Sequence, residues 1–222
     1  MELLHPLPSE SRKFLSAARK IPPSYNISGR KLPPIFLFTD PERTPDPTAL
    51  VSAMPWGWGV VYRHFGDDDR LSKARALVAA ARKRSVVVLV SADPELADAS
   101  GADGVHWPEN RLPQRLTRRP QWIVSASAHS PRAISKVART GADLAFVSKV
   151  FDSRSGSKSD ALGLLRFAAT CSRATLPIFA LGGIKASNID RILRIQPKVI
   201  RGVAAVDGLL RILGDEGSTD GR

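Results

Sequence analysis

Leu176-Pro177-Ile178-Phe179-Ala180-Leu181-Gly182-Gly183-Ile184 reads as a buried apolar strand that stops at two adjacent glycines. Ser187 and Asn188 then open a helical pattern through Ile189, Ile192 and Leu193, the kind of residue that starts a helix. A second apolar strand, Val199 to Val206, follows at once and runs into Asp207-Gly208 and a short apolar turn, Leu209 to Leu213. Paired glycines at a strand end let backbone N–H groups approach an anion with no Cβ in the way. Two neighbouring strands that end in glycines beside a short last helix form a recurrent phosphate site in (β/α)8 barrels. The plainer reading makes Gly182-Gly183 a strand-to-helix turn and nothing more.

Working outward, the same alternation runs back to Pro34. Strands are expected at Ile35–Thr39, Gly59–Arg63, Ser85–Val90, Gly104–Trp107, Trp122–Ser127 and Leu144–Val147. Helical patterns separate nearly all of them, for example Leu71, Ala74, Leu77, Val78 and Ala81 after Asp67-Asp68-Asp69. Eight apolar strands with helical crossovers predict parallel strands. A closed eight-stranded TIM barrel over residues 35–213 fits the count, with an open doubly wound sheet as the alternative. Residues 1–34 hold six of the 17 prolines and one short helix, Ser9 to Lys20, and read as an extension outside the main fold. Residues 214–222 read as a flexible tail.

Bulk composition narrows the class. The 222 residues suffice for one domain, and the lone Cys171 rules out an internal disulfide or a cysteine-rich metal site. It suits a reducing, cytoplasmic setting. No apolar run approaches the ~20 residues of a membrane span, and no secretory signal is expected. The net charge of +12 favours anionic ligands, but only 6% of residues are aromatic and no basic stripe interleaves with them. Small phosphorylated ligands are therefore expected rather than a specific nucleic acid, and a homo-oligomer is compatible.

A barrel carries its chemistry at the C-terminal ends of the strands. Those ends hold Asp40, Arg63, His64, Ser91, Asp93, His106, Ser127, His129, Ser148, Lys149, Gly182, Gly183 and Asp207. The loop Ser153-Arg154-Ser155-Gly156-Ser157-Lys158 adds hydroxyls and two cations, which suit a phosphate or diphosphate. Packed histidines at 106 and 129, a surface ion pair at Arg63 and a solvated loop are the alternatives. Asp207, as the first residue of its turn, can point away and cap its own helix, which leaves the anion site open. Pointing inward, it would repel an anion.

The ordered segments Phe38-Thr39-Asp40, Arg63, Gly101-Ala102-Asp103-Gly104-Val105-His106, Ser127-Ala128-His129-Ser130, Gly141-Ala142-Asp143, Val150-Phe151, Ala180-Leu181-Gly182-Gly183-Ile184 and Gly202-Val203-Ala204 resemble the thiamine phosphate synthase family. That superfamily also includes thiazole tautomerases. The resemblance implies a barrel enzyme that joins hydroxymethylpyrimidine diphosphate to a thiazole phosphate with release of diphosphate, assisted by Mg²⁺. It implies that Arg63 and Ser127 face the diphosphate. Gly182, Gly183 and the backbone at Val206 and Asp207 would hold the thiazole phosphate. Ser153, Ser155 and Lys158 would lie on a closing loop, with Lys158 the nearest substitute for the family's loop lysine. The family's asparagine–aspartate pair after the third strand falls on Ser91 and Ala92, which leaves Asp93 as the nearest carboxylate for the metal. The second metal aspartate falls on Arg111, with Glu109 nearby, and a phosphate-facing serine falls on Asp207. A tautomerase would use His129 as acid or base, since a histidine titrates near neutral pH. A non-catalytic phosphate-ligand binder is the third reading.

Overall fold

The computed structural model describes residues 9–66, 69–153, 160–195 and 199–214. Eight parallel strands close into a barrel in sequence order: β1 (Ile35–Phe38), β2 (Gly59–Tyr62), β3 (Val87–Ser91), β4 (Gly104–Trp107), β5 (Ile123–Ala128), β6 (Leu144–Val147), β7 (Ile178–Leu181) and β8 (Ile200–Ala205). Closure is made where Leu37 of β1 pairs with both Val60 of β2 and Ala205 of β8. The open sheet is thereby excluded.

The helices are α1 (Ser9–Lys20), α2 (Pro47–Ala53), α3 (Arg70–Lys83), α4 (Pro94–Ser100), α5 (Pro131–Arg139), α6 (Gly163–Cys171), α7 (Ile189–Ile195) and α8 (Asp207–Gly214). Local chemistry sets their ends. The side chains of Asp46, Asp93 and Ser130 accept hydrogen bonds from the first turns of α2, α4 and α5, each followed by a proline at the first helical position, where the missing N–H costs nothing. Gly101 ends α4 at φ 72°. Between β4 and β5 the crossover is a single 3₁₀ turn, Glu109–Arg111, and an irregular segment. β3 starts at Val87, two residues later than the apolar run suggests, because Ser85 turns at φ 51°.

Alternation along the strands sorts two apolar layers. Ile35, Leu37, Val60 and Val88 face the surrounding helices. Phe36, Phe38, Phe146 and Phe179 fill the barrel with Val61, Leu89 and Ile123. Their rings meet edge to face, with centroids 5.3 Å apart for Phe36 and Phe146 and 5.5 Å for Phe146 and Phe179, the geometry aromatic quadrupoles prefer. Glycines opposite make room for them: a Cβ on Gly59 would lie 2.3 Å from Phe36, and one on Gly202 would lie 2.0 Å from Phe179.

Residues 9–34 pack on this barrel. α1 lies against α7 and α8, buries Phe14 and Ala17, and Lys20 reaches Asp190 at 3.0 Å. The chain then crosses the N-terminal rim of the barrel, where Leu32 joins the interior cluster. Two aspartates of the repeated Gly-Ala-Asp segments organise that rim. The Asp103 carboxylate accepts from Val88 N (2.8 Å) while its own N–H bonds Val88 O (2.8 Å). Asp143 does the same to Val124, with both bonds at 2.7 Å. Their free oxygens take the crossing segment, through Arg30 to Asp103 and Ile27 N to Asp143. Residues 1–8 and the tail beyond Gly214 lie outside the described residues.

Candidate active site

The opposite, C-terminal rim opens into a cavity of about 770 Å³. Arg63, Ser127, His129, Ser153, Gly182, Gly183, Val206 and Asp207 all line it. Ser155 and Lys158 lie outside the described residues. Asp93 does not line it.

Arg63 follows β2 and is fixed by its neighbour strand. Its backbone N–H donates to Thr39 Oγ1 (2.9 Å) and its Nε to Thr39 O (2.7 Å). The guanidinium carbon stands 5.2 Å from the centre of the Phe38 ring, and Nη2 is 3.9 Å from Asp40 Oδ2. Burial pushes its pKa below the ordinary value, Asp40 pulls it back up, and Arg43 lowers it further; an arginine stays charged all the same. Its Nε is thus committed to the backbone, and the fork of Nη groups is left for the cavity.

At β7 and β8 the glycines have two reasons to be glycine. Gly182 and Gly183 adopt φ 98° and 65°, and a Cβ on Gly183 would lie 2.4 Å from Asp152 O. The side of Gly183 where a Cβ would point is therefore filled by the loop after β6. Asn188 locks the turn, donating to Gly183 O (2.9 Å) and accepting from Lys185 N (2.8 Å). The start of α8 touches the same turn, since a Cβ on Gly208 would lie 2.1 Å from Ile184 O.

Of the two orientations open to Asp207, the structure has the one on the cavity side. Asp207 neither caps α8 nor stands as a bare negative charge: Arg43 Nη1 donates to its Oδ1 at 3.0 Å while Arg43 Nη2 donates to Asp40 Oδ2 at 2.8 Å. The Arg43 hydrogen bond also holds the Asp40 carboxyl below its usual range. One arginine thus neutralises part of two carboxylates at the mouth.

His106 is fully enclosed among Phe38 and Phe146, with ring nitrogens 3.0 Å from Ser125 Oγ and 3.1 Å from Ser127 Oγ. Burial first, and Arg63 second, press its pKa down to about 3, so it is a neutral prop for Ser127. His129 is half-exposed, with Nδ1 2.6 Å from Glu109 Oε2. A carboxylate accepts, so Nδ1 donates and Nε2 of the neutral ring is the acceptor. Cys171 is buried, its thiol pushed up to about 12 by that burial, which removes it from nucleophilic chemistry.

Sequence reading named Arg63 and Lys149 at strand ends but passed over three lining cations, Arg43, Lys185 and Arg211. Among the described residues five cationic side chains, Arg43, Arg63, Lys149, Lys185 and Arg211, face three carboxylates, Asp40, Asp152 and Asp207. Lys149 has the clearest signal, since it stands just past the end of β6 and is nearly buried. Arg43 and Arg211 carry none; they reach the cavity only through the closed topology.

The oxygen donors do not fit a divalent metal. Asp93, the expected ligand, spends Oδ1 on Leu96 N (2.8 Å) and Oδ2 on Arg70 Nη1 (2.7 Å). Arg70 Nη2 also takes Ser91 O at 3.2 Å. Glu109 faces His129, and the Arg111 guanidinium lies over Phe65. Among the described residues no three His, Cys, Asp or Glu side chains gather as a metal site. No helix among them is long and apolar enough to cross a membrane.

A closed (β/α)8 barrel with a cation-rich cavity at its C-terminal rim defines a barrel protein suited to anionic small molecules. The sequence model of thiamine monophosphate synthase matches residues 37–209, and the chain belongs to that family. It is 33% identical over 146 residues to a thiamine-phosphate synthase of Methanoculleus marisnigri, covering 63% of this chain and 68% of that one. It is 30% identical over 142 residues to the chloroplastic bifunctional thiamine biosynthetic enzyme of Arabidopsis thaliana, 63% of this chain but 27% of that protein. The chain thus spans well under two thirds of that relative's length. The fold matches thiamine phosphate pyrophosphorylase of Pyrococcus furiosus with a TM-score of 0.65 at 19% identity, over 82% of this chain and 95% of that one.

Proposed function

We propose that the protein is a thiamine phosphate synthase-type transferase, joining hydroxymethylpyrimidine diphosphate to a thiazole phosphate with release of diphosphate. The reading rests on one observation: Arg63 and the Gly182-Gly183/α8 corner open into a single cavity. In the reaction the bond from the pyrimidine methylene carbon to the diphosphate oxygen breaks, and its electron pair leaves with the diphosphate. The lone pair of the thiazole nitrogen forms the new carbon–nitrogen bond. No proton moves, so the step calls for preorganised cations at the leaving group rather than a base. Arg63 would hold the diphosphate, braced from behind by Thr39 O, and Ser127 would be aligned by neutral His106. The first N–H groups of α8 and the β7 turn would hold the thiazole phosphate, with Phe38 and Leu181 as the apolar floor. A cytoplasmic location belongs to the same proposal, on the strength of the single cysteine.

The test is turnover of the two precursors by purified protein, followed by Arg63→Ala. Loss of one charge-assisted contact should lower kcat/KM by roughly ten- to a hundredfold; an Arg63→Ala variant as active as wild type refutes the assignment. The His129–Glu109 pair favours a second reading, a thiazole tautomerase. That reading holds if the protein interconverts thiazole phosphate tautomers and His129→Ala stops it while precursor joining is absent.

A further inference from the structure

We propose that the diphosphate is held by guanidinium groups in place of a divalent metal ion, Arg63 on the cavity wall and Arg111 at the Phe65 ring beside it, while Arg70 occupies the oxygens that a metal would need. The diphosphate itself is taken from the synthase reading; the manner of holding it comes from the following geometry. Magnesium asks for oxygen ligands in near-octahedral array. At the end of β3 the oxygens that converge, Ser91 O and Asp93 Oδ2, already face a cation, the Arg70 guanidinium, at 3.2 and 2.7 Å. The other nearby carboxylate, Glu109, is 2.6 Å from His129 Nδ1. A metal would have to break both arrangements.

Phe65 marks where the replacement charge sits. Its ring is 44% exposed and lines the cavity, and two guanidinium carbons lie over it, Arg70 at 5.4 Å and Arg111 at 5.2 Å. An aromatic face orients a guanidinium without consuming its N–H donors. Among the described residues Arg111 forms no ion pair and is exposed, so its fork is open to an anion. Guanidinium groups bind phosphate oxygens in bidentate pairs, which supplies the neutralisation that a metal would otherwise bring to the leaving group.

The experiment is calorimetric titration of inorganic diphosphate into the full chain, once in EDTA and once in magnesium chloride, with wild type and Arg111→Gln. Wild type should bind in EDTA at least as tightly as in magnesium, and Arg111→Gln should weaken binding in EDTA by about ten- to a hundredfold. Arg111 is exposed, so its replacement leaves the fold intact, and an unchanged thermal midpoint checks that. Binding that requires magnesium, binding in neither medium, or an Arg111→Gln affinity equal to wild type in EDTA overturns the proposal. Turnover is read separately. Diphosphate bound in EDTA by a protein that does not join the precursors defeats the synthase reading alone; joining that strictly needs magnesium defeats this inference alone.

Discussion

His106 makes folding stability depend on pH in a calculable way. Its ring is enclosed by Phe38 and Phe146 and held between Ser125 and Ser127. Its folded pKa is about 3 against an ordinary 6.5. Between those values the unfolded chain takes a proton that the folded chain refuses. The stabilisation is therefore complete above pH 6.5, drains away as pH falls through 6.5, and is exhausted near 3. Integrating the linkage relation gives a loss of about 2 kcal/mol at pH 5 and about 3 kcal/mol at pH 4. Other groups titrate too, so the measurement is a difference. Urea unfolding midpoints of wild type and His106→Gln are compared at pH 7, 6 and 5, with the slopes checked for constancy. Wild type should lose about 2 kcal/mol relative to His106→Gln between pH 7 and 5. A gap that does not change with pH, or an imidazole resonance of His106 titrating near 6.5, refutes the reasoning.

Asp143→Ala should destabilise by about 3–5 kcal/mol, because it strands the Arg118 guanidinium at 2.9 Å and the buried Val124 N–H at 2.7 Å; urea denaturation showing under about 1 kcal/mol counts against the rim's role. Gly183→Ala should cost at least about 1–2 kcal/mol from its left-handed backbone alone, with the contact to Asp152 O in addition; an unchanged thermal midpoint would show that the turn relaxes freely. Asp93→Ala should cost more than the roughly 1 kcal/mol of the lost α4 cap, because the mostly buried Arg70 also loses its partner at 2.7 Å, and should not abolish diphosphate binding in magnesium; abolished binding with the fold intact would restore Asp93 as a ligand.

The barrel was legible because its evidence is local. Apolar runs of four to six residues, Pro at helix starts and Gly101 or Gly182-Gly183 at element ends each act within a few residues, and strand positions agree to within two residues. Most of the cavity list was legible for the same reason, since a barrel turns strand ends into one rim, although His64, Ser91 and Asp93 at those ends do not line the cavity. What could not be read depends on partners far away in sequence. Nothing near Asp93 says that Arg70 will claim its free oxygen, and nothing near Asp207 points to Arg43, 164 positions earlier. The burial of His106 follows from phenyl groups on β1 and β6. The crossover of residues 21–34 reads as an unstructured proline-rich stretch until Asp103 and Asp143 supply its acceptors.

Those two aspartates also divide the molecule by what it tolerates. Each ties a strand to its neighbour at the N-terminal rim with both halves of a backbone unit, at the far end from the cavity. Exposed side chains at the cavity rim, Arg111 among them, carry no such bond and can be replaced with the scaffold standing, which the rim glycines cannot. Such a chain is free to drift chemically: a carboxylate can become an arginine at the mouth without unfolding the intermediate that carries it. In a saturation library, substitutions at 103 and 143 should be depleted under selection for expression alone, while those at the exposed Arg111 should be depleted only where the proposed diphosphate contact is selected.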